Sequence, residues 1–146
     1  MATVFLALGS NVGDREKAIR QALQALEGEG INIVLISSLI ETKPEGGPPQ
    51  GKFLNSVIQV ETGLLPEELL ICIKTIEQAL GRTPSVRNGP RVIDIDILLY
   101  DDIEWHSPRL DIPHPRMKSR PFVMIPLAEI APDLARRLGH EDHHTG

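Results

Sequence analysis

The chain has 146 residues, of which 41% are apolar and 24% are charged, a composition typical of one globular domain with a core of its own. Its formal net charge of −5 argues against a general attraction to nucleic acid or to anionic membranes, although a locally basic site stays open. The single cysteine, Cys72, excludes an internal disulfide, and the sequence has neither a leader pattern nor an apolar run of membrane-spanning length. We therefore expect a soluble, cytoplasmic protein with one domain (residues 1–146) and a His-rich tail that is poorly ordered from about residue 136.

The first third of the chain predicts a strand, a helix and a second strand. Residues 2–8 form a short apolar strand that ends at Gly9, and Asp14 is placed to cap the helix behind it. That helix has one apolar stripe, formed by Ala18, Ile19, Ala22, Leu23 and Leu26. Residues 31–39 then predict a second strand.

The middle of the chain predicts two more strands around a second helix. A Pro/Gly-rich loop (43–52) leads into residues 53–62, whose alternation predicts a third strand. Pro66 opens the second helix and Gly81 ends it. After the loop 81–91, the run 93–99 predicts a fourth strand.

This βαββαβ order predicts an α+β fold, in which a ferredoxin-like antiparallel sheet carries both helices on one face. In that topology the first strand lies between the third and the fourth, and the second face of the sheet is left without helices. A C-terminal extension adds a further helix from Arg120 towards Ile130, capped by Ser119, strained or shortened by Pro126, and with Ile125 among its apolar positions.

The run GPRVIDIDILLY (89–100) has the apolar density of a buried strand but holds two aspartates. Because a strand has a period of two, Asp94 and Asp96 share one face, with Cα atoms roughly 6.5 to 7 Å apart. Two hard oxygen donors at this spacing are suited to one or two Mg²⁺ ions bound against phosphate oxygens. A half-buried strand with a solvated outer face is the alternative. The opposite face of the strand is predicted to carry Ile93, Ile95, Ile97 and Leu99.

Cationic side chains are concentrated around this acidic pair, although the chain is acidic overall. They are Arg109, His114, Arg116, Lys118 and Arg120, together with Arg82, Arg87 and Arg91 beside the aspartate strand. A triphosphate neutralised by Arg, Lys and Mg²⁺ accounts for the cations and the carboxylates together. Neither a Walker loop nor a dinucleotide fingerprint is present, so those phosphate-binding folds are excluded.

The face of the sheet that holds the aspartates is predicted to carry two more groups of side chains. Phe53 and Asn55 come from the third strand, and the small residues Ala7 and Gly9 come from the first. Gly9 then leaves a gap between an aromatic and amide corner and an acidic corner. A gap with two chemically different walls suits a ligand in two parts.

Four segments of the chain, ALGSNVGDR, FLN, GPRVIDIDILLY and IPHPRMKSRPFVMIPLAEIAP, resemble in order and spacing the 6-hydroxymethyl-7,8-dihydropterin pyrophosphokinase (HPPK) family of folate biosynthesis. The resemblance covers about residue 3 to about residue 134. It implies a Mg-dependent enzyme that transfers pyrophosphate from ATP, its co-substrate, to the hydroxymethyl group of a dihydropterin and releases AMP. It also implies small-molecule substrates, with no nucleic acid or membrane partner, and a monomer, with a dimer left open.

The resemblance assigns roles to individual residues. It implies that Asp94 and Asp96 bind two Mg²⁺ ions, that Asp96 also draws the proton from the attacking hydroxyl, and that Arg82 and Arg91 steady the phosphate charge as the bond to AMP breaks. Nucleotide-site positions are Lys74, Glu77, Ile97, Arg109, Asp111, His114 and Arg120. Pterin-pocket positions are Thr42, Pro44, Phe53, Asn55 and Phe122, and the gap at Gly9 belongs with them.

Pro84, Asn88 and Pro115 depart from the family pattern, and they concern loop closure and a nucleotide contact rather than the acidic pair. The loops 43–52 and 81–91 are predicted to be lids that become ordered when nucleotide binds.

Two other functions stay open. One is a binding module for RNA or a small regulator, which shares the βαββαβ order, and the other is a metal-dependent phosphodiesterase or nuclease that uses the same aspartates.

Overall fold

The computed structural model describes residues 1–81 and 92–145, with side chains up to residue 139. Its centre is an antiparallel sheet of five strands: β1 (Ala2–Ser10), β2 (Asn32–Ile36), β3 (Ile40–Thr42), β4 (Phe53–Thr62) and β5 (Asp94–Tyr100). The strand order is β2-β4-β1-β5, and β3 pairs with β4 beyond the end of β2. β1 therefore lies between β4 and the aspartate strand, as the sequence predicted.

Helices α1 (Arg15–Gly28) and α2 (Pro66–Ala79) pack against one face of this sheet. Asp14 is the N-cap of α1, and its carboxylate accepts a hydrogen bond from the Lys17 N–H at 3.1 Å. Pro66 occupies the first turn of α2, where its missing N–H costs nothing. Cys72 is half-buried against this part of the core, in agreement with a packing role. The predicted apolar stripe of α1 is confirmed, since Ala18, Ile19, Ala22 and Leu26 are buried and Leu23 packs against the core.

The predicted second strand (31–39) is divided in the structure. β2 ends at Ile36 and β3 begins at Ile40, and Ser37 and Ser38 lie at the break between them. The two short strands pair with successive parts of β4, so together they occupy the edge that one strand was predicted to occupy.

The second face of the sheet is not free of helices, and that prediction was wrong for part of the face. α3 (Pro121–Ile130) and α4 (Pro132–Thr145) pack over Phe5 of β1 and Val57 of β4. No element had been predicted for the segment that forms α4. Because these helices cover only part of the face, the region around Gly9 and Asp94 stays open beside them.

The start and the packing of α3 also differ from the prediction. Ser119 does not cap the helix, because its hydroxyl donates to the Arg116 carbonyl within a short 3₁₀ turn (Met117–Ser119). Pro126 is accommodated inside α3, which reaches Ile130 without being shortened. Ile125, expected on the apolar side, is 60% exposed.

The alternation along β5 breaks near its end. Ile93, Ile95 and Ile97 pack on the side of α1 and α2, as predicted. The pairing of β5 with β1 shifts register between Phe5 and Leu6, so Leu99 packs with Leu98 on the opposite side. A β-bulge places two successive residues against the same neighbours, and the prediction for Leu99 was wrong for that reason.

After β5 the chain forms a small hairpin of β6 (Trp105–His106) and β7 (Asp111–Ile112) before it enters the 3₁₀ turn. No helix within residues 1–81 and 92–145 is both long enough and apolar enough to cross a membrane.

Candidate active site

Two rows of paired residues cross the open part of the sheet and fix the positions of the two aspartates. In the first row Gly9 of β1 lies opposite Asn55 of β4 on one side and opposite Asp94 of β5 on the other. In the second row Ala7 lies between Val57 and Asp96 in the same way. Both carboxylates are half-buried and line the same cavity, so they share a face, as predicted.

The cavity above these rows has a volume of about 310 Å³ and is called the Phe53 cavity here. Its lining comprises Ala7, Leu8, Gly9, Thr42, Lys43, Glu45, Phe53, Asn55, Ser56, Lys74, Asp94, Asp96, His114, Arg120 and Phe122. A Cβ atom added to Gly9 would lie 3.0 Å from Asn55 Oδ1 and 3.4 Å from Phe53 Cδ1. The missing side chain of Gly9 therefore keeps the floor of the cavity open between the amide and the acidic pair, as the sequence predicted.

The amide of Asn55 is held in one orientation. Asn55 is only 6% exposed, and its Nδ2 donates a hydrogen bond of 2.6 Å to Thr42 Oγ1 on β3. The other end of the amide, Oδ1, faces the space over Gly9. Phe53 and Phe122 line the same cavity, and the Arg120 guanidinium lies 5.3 Å from the centre of the Phe122 ring. Two rings and a fixed amide edge suit a flat, polar heterocycle.

A second cavity of about 270 Å³, called the Arg109 cavity, adjoins the first. It is lined by Leu70, Lys74, Ile95, Asp96, Ile97, Pro108, Arg109, Leu110, Asp111, His114 and Pro115. Lys74, Asp96 and His114 line both cavities. Asp96 thus stands at the border between a compartment with two aromatic rings and a compartment that contains Arg109, and Asp94 lines the first of them.

The carboxyl group of Asp96 carries an unfavourable charge in the protein without a cation. Its pKa is raised from 3.8 to about 7, mainly by burial and further by the charges of Asp94 and Glu77, while Lys74 and Arg120 oppose the shift. The pKa of His114 is lowered by burial and by the charges of Arg120 and Arg116, so this imidazole is neutral at neutral pH.

The donor set fits Mg²⁺. Two carboxylates on one face provide hard oxygen ligands, and a divalent cation between them would remove the repulsion that raises the pKa of Asp96. Within residues 1–81 and 92–139, no group of three or more His, Cys, Asp or Glu side chains is arranged to hold a metal ion. Asp94 and Asp96 would supply two carboxylate ligands, and water and substrate phosphates commonly complete Mg²⁺ sites of this kind.

A comparison with known protein families decides the relationship. The family model described as 7,8-dihydro-6-hydroxymethylpterin-pyrophosphokinase (HPPK) matches residues 5–132, which is most of the chain. The chain belongs to the HPPK family.

Relatives of the family agree with this assignment. The 2-amino-4-hydroxy-6-hydroxymethyldihydropteridine pyrophosphokinase of Aquifex aeolicus (strain VF5) is 48% identical over 134 residues, which cover 92% of this chain and 83% of that protein. The Bacillus subtilis (strain 168) protein of the same name is 46% identical, with 86% of this chain and 76% of that protein covered. A folate synthesis bifunctional protein of Pisum sativum is 46% identical, and the match covers 87% of this chain but only 25% of that protein.

Solved structures share the fold. The Plasmodium falciparum HPPK-DHPS crystal structure with pteroate matches with a TM-score of 0.69 and 17% identity, over 87% of this chain and 38% of that chain. At this identity the likeness concerns the fold alone.

Most of the HPPK positions named from the sequence meet in the two cavities. The Phe53 cavity holds Gly9, Thr42, Phe53, Asn55 and Phe122, and the Arg109 cavity holds Ile97, Arg109 and Asp111. Arg120, which the resemblance assigned to the nucleotide site, lines the Phe53 cavity instead. Pro44 is not among the lining residues, although its neighbours Lys43 and Glu45 are. Arg82 and Arg91, with Pro84, Arg87 and Asn88, lie outside the described residues, so their roles stay predictions. The side chains of the His-rich tail also lie outside them.

Glu77 lies behind the site and not in it. Its side chain is 1% exposed, its Oε2 accepts a hydrogen bond of 2.8 Å from the Ile95 N–H, and its Oε1 lies 3.2 Å from Lys74 Nζ. Glu77 therefore fastens α2 to the aspartate strand and orients Lys74, which does line both cavities.

Glu45, in the Pro/Gly-rich loop, is a site residue that sequence reasoning missed. Its carboxylate lies 3.1 Å from Arg120 Nε, which also lines the Phe53 cavity, and 3.6 Å from an Arg116 terminal nitrogen. No periodic pattern links residues this far apart, so the sequence offered no signal for the pairing. The loop is fixed at its other end by Asn11, whose Nδ2 donates to Gln50 Oε1 and to the Gly51 carbonyl.

Proposed function

We propose that this protein transfers the pyrophosphoryl group of ATP to the hydroxymethyl group of 6-hydroxymethyl-7,8-dihydropterin and releases AMP, as a step of folate biosynthesis. The observation that carries the proposal is the position of Asp96, with Asp94 beside it in the sheet, at the border of two adjoining cavities with different chemistry. A reaction that joins a heterocycle to a phosphate chain needs such a border, because both substrates must place their reacting atoms there.

The Phe53 cavity is proposed to bind the pterin. The rings of Phe53 and Phe122 stack on the flat bicycle, and the amide of Asn55, held by Thr42, bonds to its polar edge. The hydroxymethyl group then points over Gly9 towards the carboxylates, since Gly9 lies between Asn55 and Asp94 in the sheet.

The Arg109 cavity is proposed to bind ATP. Lys74 and Arg109 would neutralise phosphate charge there, and Arg120 would do so from the adjoining Phe53 cavity. Neutral His114 can donate a hydrogen bond without adding charge. Arg82 and Arg91 are proposed to join them when the loop 81–91 closes. This division of roles agrees with phosphoryl transfer in general, in which the protein contributes placement and charge neutralisation.

The chemical step forms one bond and breaks one. The hydroxymethyl oxygen attacks the β-phosphorus of ATP, and the bond from that phosphorus to the oxygen it shares with the α-phosphate breaks, so AMP leaves with that oxygen. Asp96 accepts the hydroxyl proton, because it lines the cavity into which the hydroxymethyl group points. When bound by Asp94 and Asp96, two Mg²⁺ ions would supply charge neutralisation and alignment of the phosphates.

Four finer points belong to the same proposal. The sheet with α1 and α2 on one face is taken as the ferredoxin-like arrangement. The enzyme acts as a monomer in the cytoplasm and requires Mg²⁺. The loops 43–52 and 81–91 become ordered when nucleotide binds. Hydrogen exchange that stays unchanged in these loops when Mg²⁺ and an ATP analogue are added would contradict the last point.

One assay tests the proposed reaction. The protein is incubated with ATP, Mg²⁺ and 6-hydroxymethyl-7,8-dihydropterin, and AMP is measured against a matched reaction with 6-methyl-7,8-dihydropterin, which lacks the attacking hydroxyl. We expect AMP only with the hydroxymethyl compound. Hydrolysis of ATP without pterin would favour a phosphodiesterase or related hydrolase, and a complete lack of turnover would favour a binding module.

A further inference from the structure

The break between β2 and β3 is built from side-chain hydrogen bonds. At this point Ser37 keeps its backbone bond to β4, with its N–H 2.9 Å from the Val57 carbonyl oxygen. The Ser37 hydroxyl oxygen in turn accepts from the Val57 N–H at 2.9 Å and lies 3.0 Å from the Ser56 hydroxyl oxygen. The strand is therefore interrupted without leaving the Val57 donor unsatisfied, and the site of the interruption is fixed against β4.

The next residue is held by a different element. The Ser38 N–H donates to both carboxylate oxygens of Glu129, at 3.0 Å and 3.1 Å, and the Ser38 hydroxyl donates to Glu129 Oε1 at 2.8 Å. Glu129 belongs to the last turn of α3. The carboxylate thus joins the end of α3 to the start of β3 by three hydrogen bonds to a charged acceptor, the strong class of hydrogen bond.

Both partners of this link carry walls of the Phe53 cavity. β3 ends at Thr42, which pairs with Phe53 in the ladder and accepts the hydrogen bond from Asn55. α3 carries Phe122 in its first turn, seven residues before Glu129, and seven residues are close to two helical turns. Phe122 and Glu129 therefore project from the same side of α3, one towards the cavity and the other towards Ser38.

We propose that Glu129 is a positioning residue for the pterin subsite. Through Ser38 it fixes β3 relative to α3, and it thereby sets the separation between the ring of Phe122 and the Thr42–Asn55 pair. Its loss loosens one wall of the cavity while leaving the Arg109 cavity and the acidic pair in place. The inference rests on the proposed function, since the ligand whose binding changes is the pterin.

Steady-state kinetics of three variants test this role. Glu129→Ala removes all three hydrogen bonds, and we expect the KM for the pterin to rise about five- to tenfold. This is less than the full contribution of a bond to a charged group, because these bonds are exposed and act on the pterin only through β3. The KM for ATP and kcat should stay within twofold. Glu129→Gln keeps an acceptor oxygen and should restore most of the pterin affinity, and Ser38→Ala, which loses only the hydroxyl bond, should give an intermediate rise.

Glu68→Ala is the matched control. Glu68 also accepts a hydrogen bond from a backbone N–H, that of Leu65 at 2.8 Å, but it lies at the start of α2 and lines neither cavity. This variant should share any general loss of stability and leave the KM for the pterin unchanged. If Glu68→Ala raises the pterin KM as much as Glu129→Ala does, or if Glu129→Ala leaves that KM within twofold of wild type, the positioning role is overturned.

Amide hydrogen exchange without substrates gives a second readout that does not depend on turnover. Glu129→Ala should speed exchange at Ser38 and at the β3 amides while β1 and β5 keep their wild-type protection. Equal protection of β3 in both proteins would overturn the inference.

The assay for pterin-dependent AMP on the wild-type protein separates the proposed function from the proposed role of Glu129. Its failure rejects the proposed function, whereas its success with an unaltered pterin KM in Glu129→Ala rejects only the role of Glu129.

Discussion

The Phe53 cavity and the Arg109 cavity share Lys74, Asp96 and His114 but are built in different ways. The first takes its floor from paired strands, where register fixes Gly9 between Asn55 and Asp94. The second takes much of its wall from the segment 108–115, which contains only a two-residue strand. A flat heterocycle is recognised by rings and a hydrogen-bonding edge at fixed separations, whereas a phosphate chain is recognised mainly by charge. The difference indicates that paired strands, which are rigid, serve to recognise the heterocycle, and that a connecting segment serves to recognise the phosphate chain.

Removing the shared carboxylate should give the largest effect, because Asp96 belongs to both cavities. Asp96→Asn keeps the shape but loses the charge that would hold a cation, and we expect kcat/KM to fall on the order of a thousandfold. Circular dichroism should show an intact fold. Asp102→Asn, at an exposed position outside both cavities, serves as the control and should keep wild-type activity. Near-normal turnover in Asp96→Asn would contradict the metal assignment.

The pH dependence of stability should reveal the same carboxylate in the protein without metal. The pKa of Asp96 rises from 3.8 to about 7 on folding, so between these values the folded state binds more protons than the unfolded state. The contribution of Asp96 to stability is therefore lost as the pH rises through this range. In EDTA, Asp96→Asn should gain free energy of unfolding relative to wild type as the pH rises from 3.8 to about 7, by a few kcal/mol at most on the order-of-magnitude scale of such shifts. A difference between the two proteins that does not change with pH would refute this account of the charge.

A methyl group added at Gly9, on the floor of the Phe53 cavity, should affect the binding of one substrate more than that of the other. In Gly9→Ala the new Cβ would lie 3.0 Å from Asn55 Oδ1, so the amide or the ring of Phe53 must move. We expect the KM for the pterin to rise roughly tenfold, the scale of a modest steric conflict, with the KM for ATP little changed. Gly63→Ala is the control, since its Cβ would meet nothing within 4 Å. An equal rise for both substrates would show that the floor serves the two cavities alike.

The smallest expected effect concerns the loop carboxylate of Glu45. Glu45 pairs with Arg116 and Arg120 in the protein without substrate. A phosphate chain that extends from the Arg109 cavity towards Arg120 in the adjoining Phe53 cavity would compete for these cations. Glu45→Gln should therefore tighten binding of an ATP analogue about two- to threefold, since partly exposed ion pairs contribute little. Glu41→Gln, which disturbs an ion pair with Arg15 instead, should leave that affinity unchanged. Weaker binding in Glu45→Gln would mean that the loop carboxylate supports the nucleotide site and does not compete with it.

The same contrast explains how far sequence reasoning reached. Strand alternation placed Asn55, Gly9 and Asp94 on one face, because register in a half-buried sheet is set by the apolar pattern. The division of β2 from β3 was missed, since the run from Ile31 to Leu39 reads as one strand and the Glu129 contact that supports the break lies far away in sequence.

Other misses have local causes. The bulge beside Leu99 cannot be read from a run of apolar residues, because every residue there is compatible with either face. α3 keeps its helical path through Pro126 because that residue is buried in the packing against the sheet, an effect of tertiary structure that overrides local propensity. The pairing of Glu45 with Arg120 depends on the path of a Pro/Gly-rich loop, for which no sequence pattern exists.

A crystal structure of the protein with Mg²⁺, a non-hydrolysable ATP analogue and 6-hydroxymethyl-7,8-dihydropterin would test the central claim most directly. We expect Mg²⁺ at about 2.1 Å from carboxylate oxygens of both Asp94 and Asp96, with the triphosphate in the Arg109 cavity and the pterin between Phe53 and Phe122. Mg²⁺ bound to the nucleotide at a distance from both carboxylates, or a pterin outside the Phe53 cavity, would contradict it.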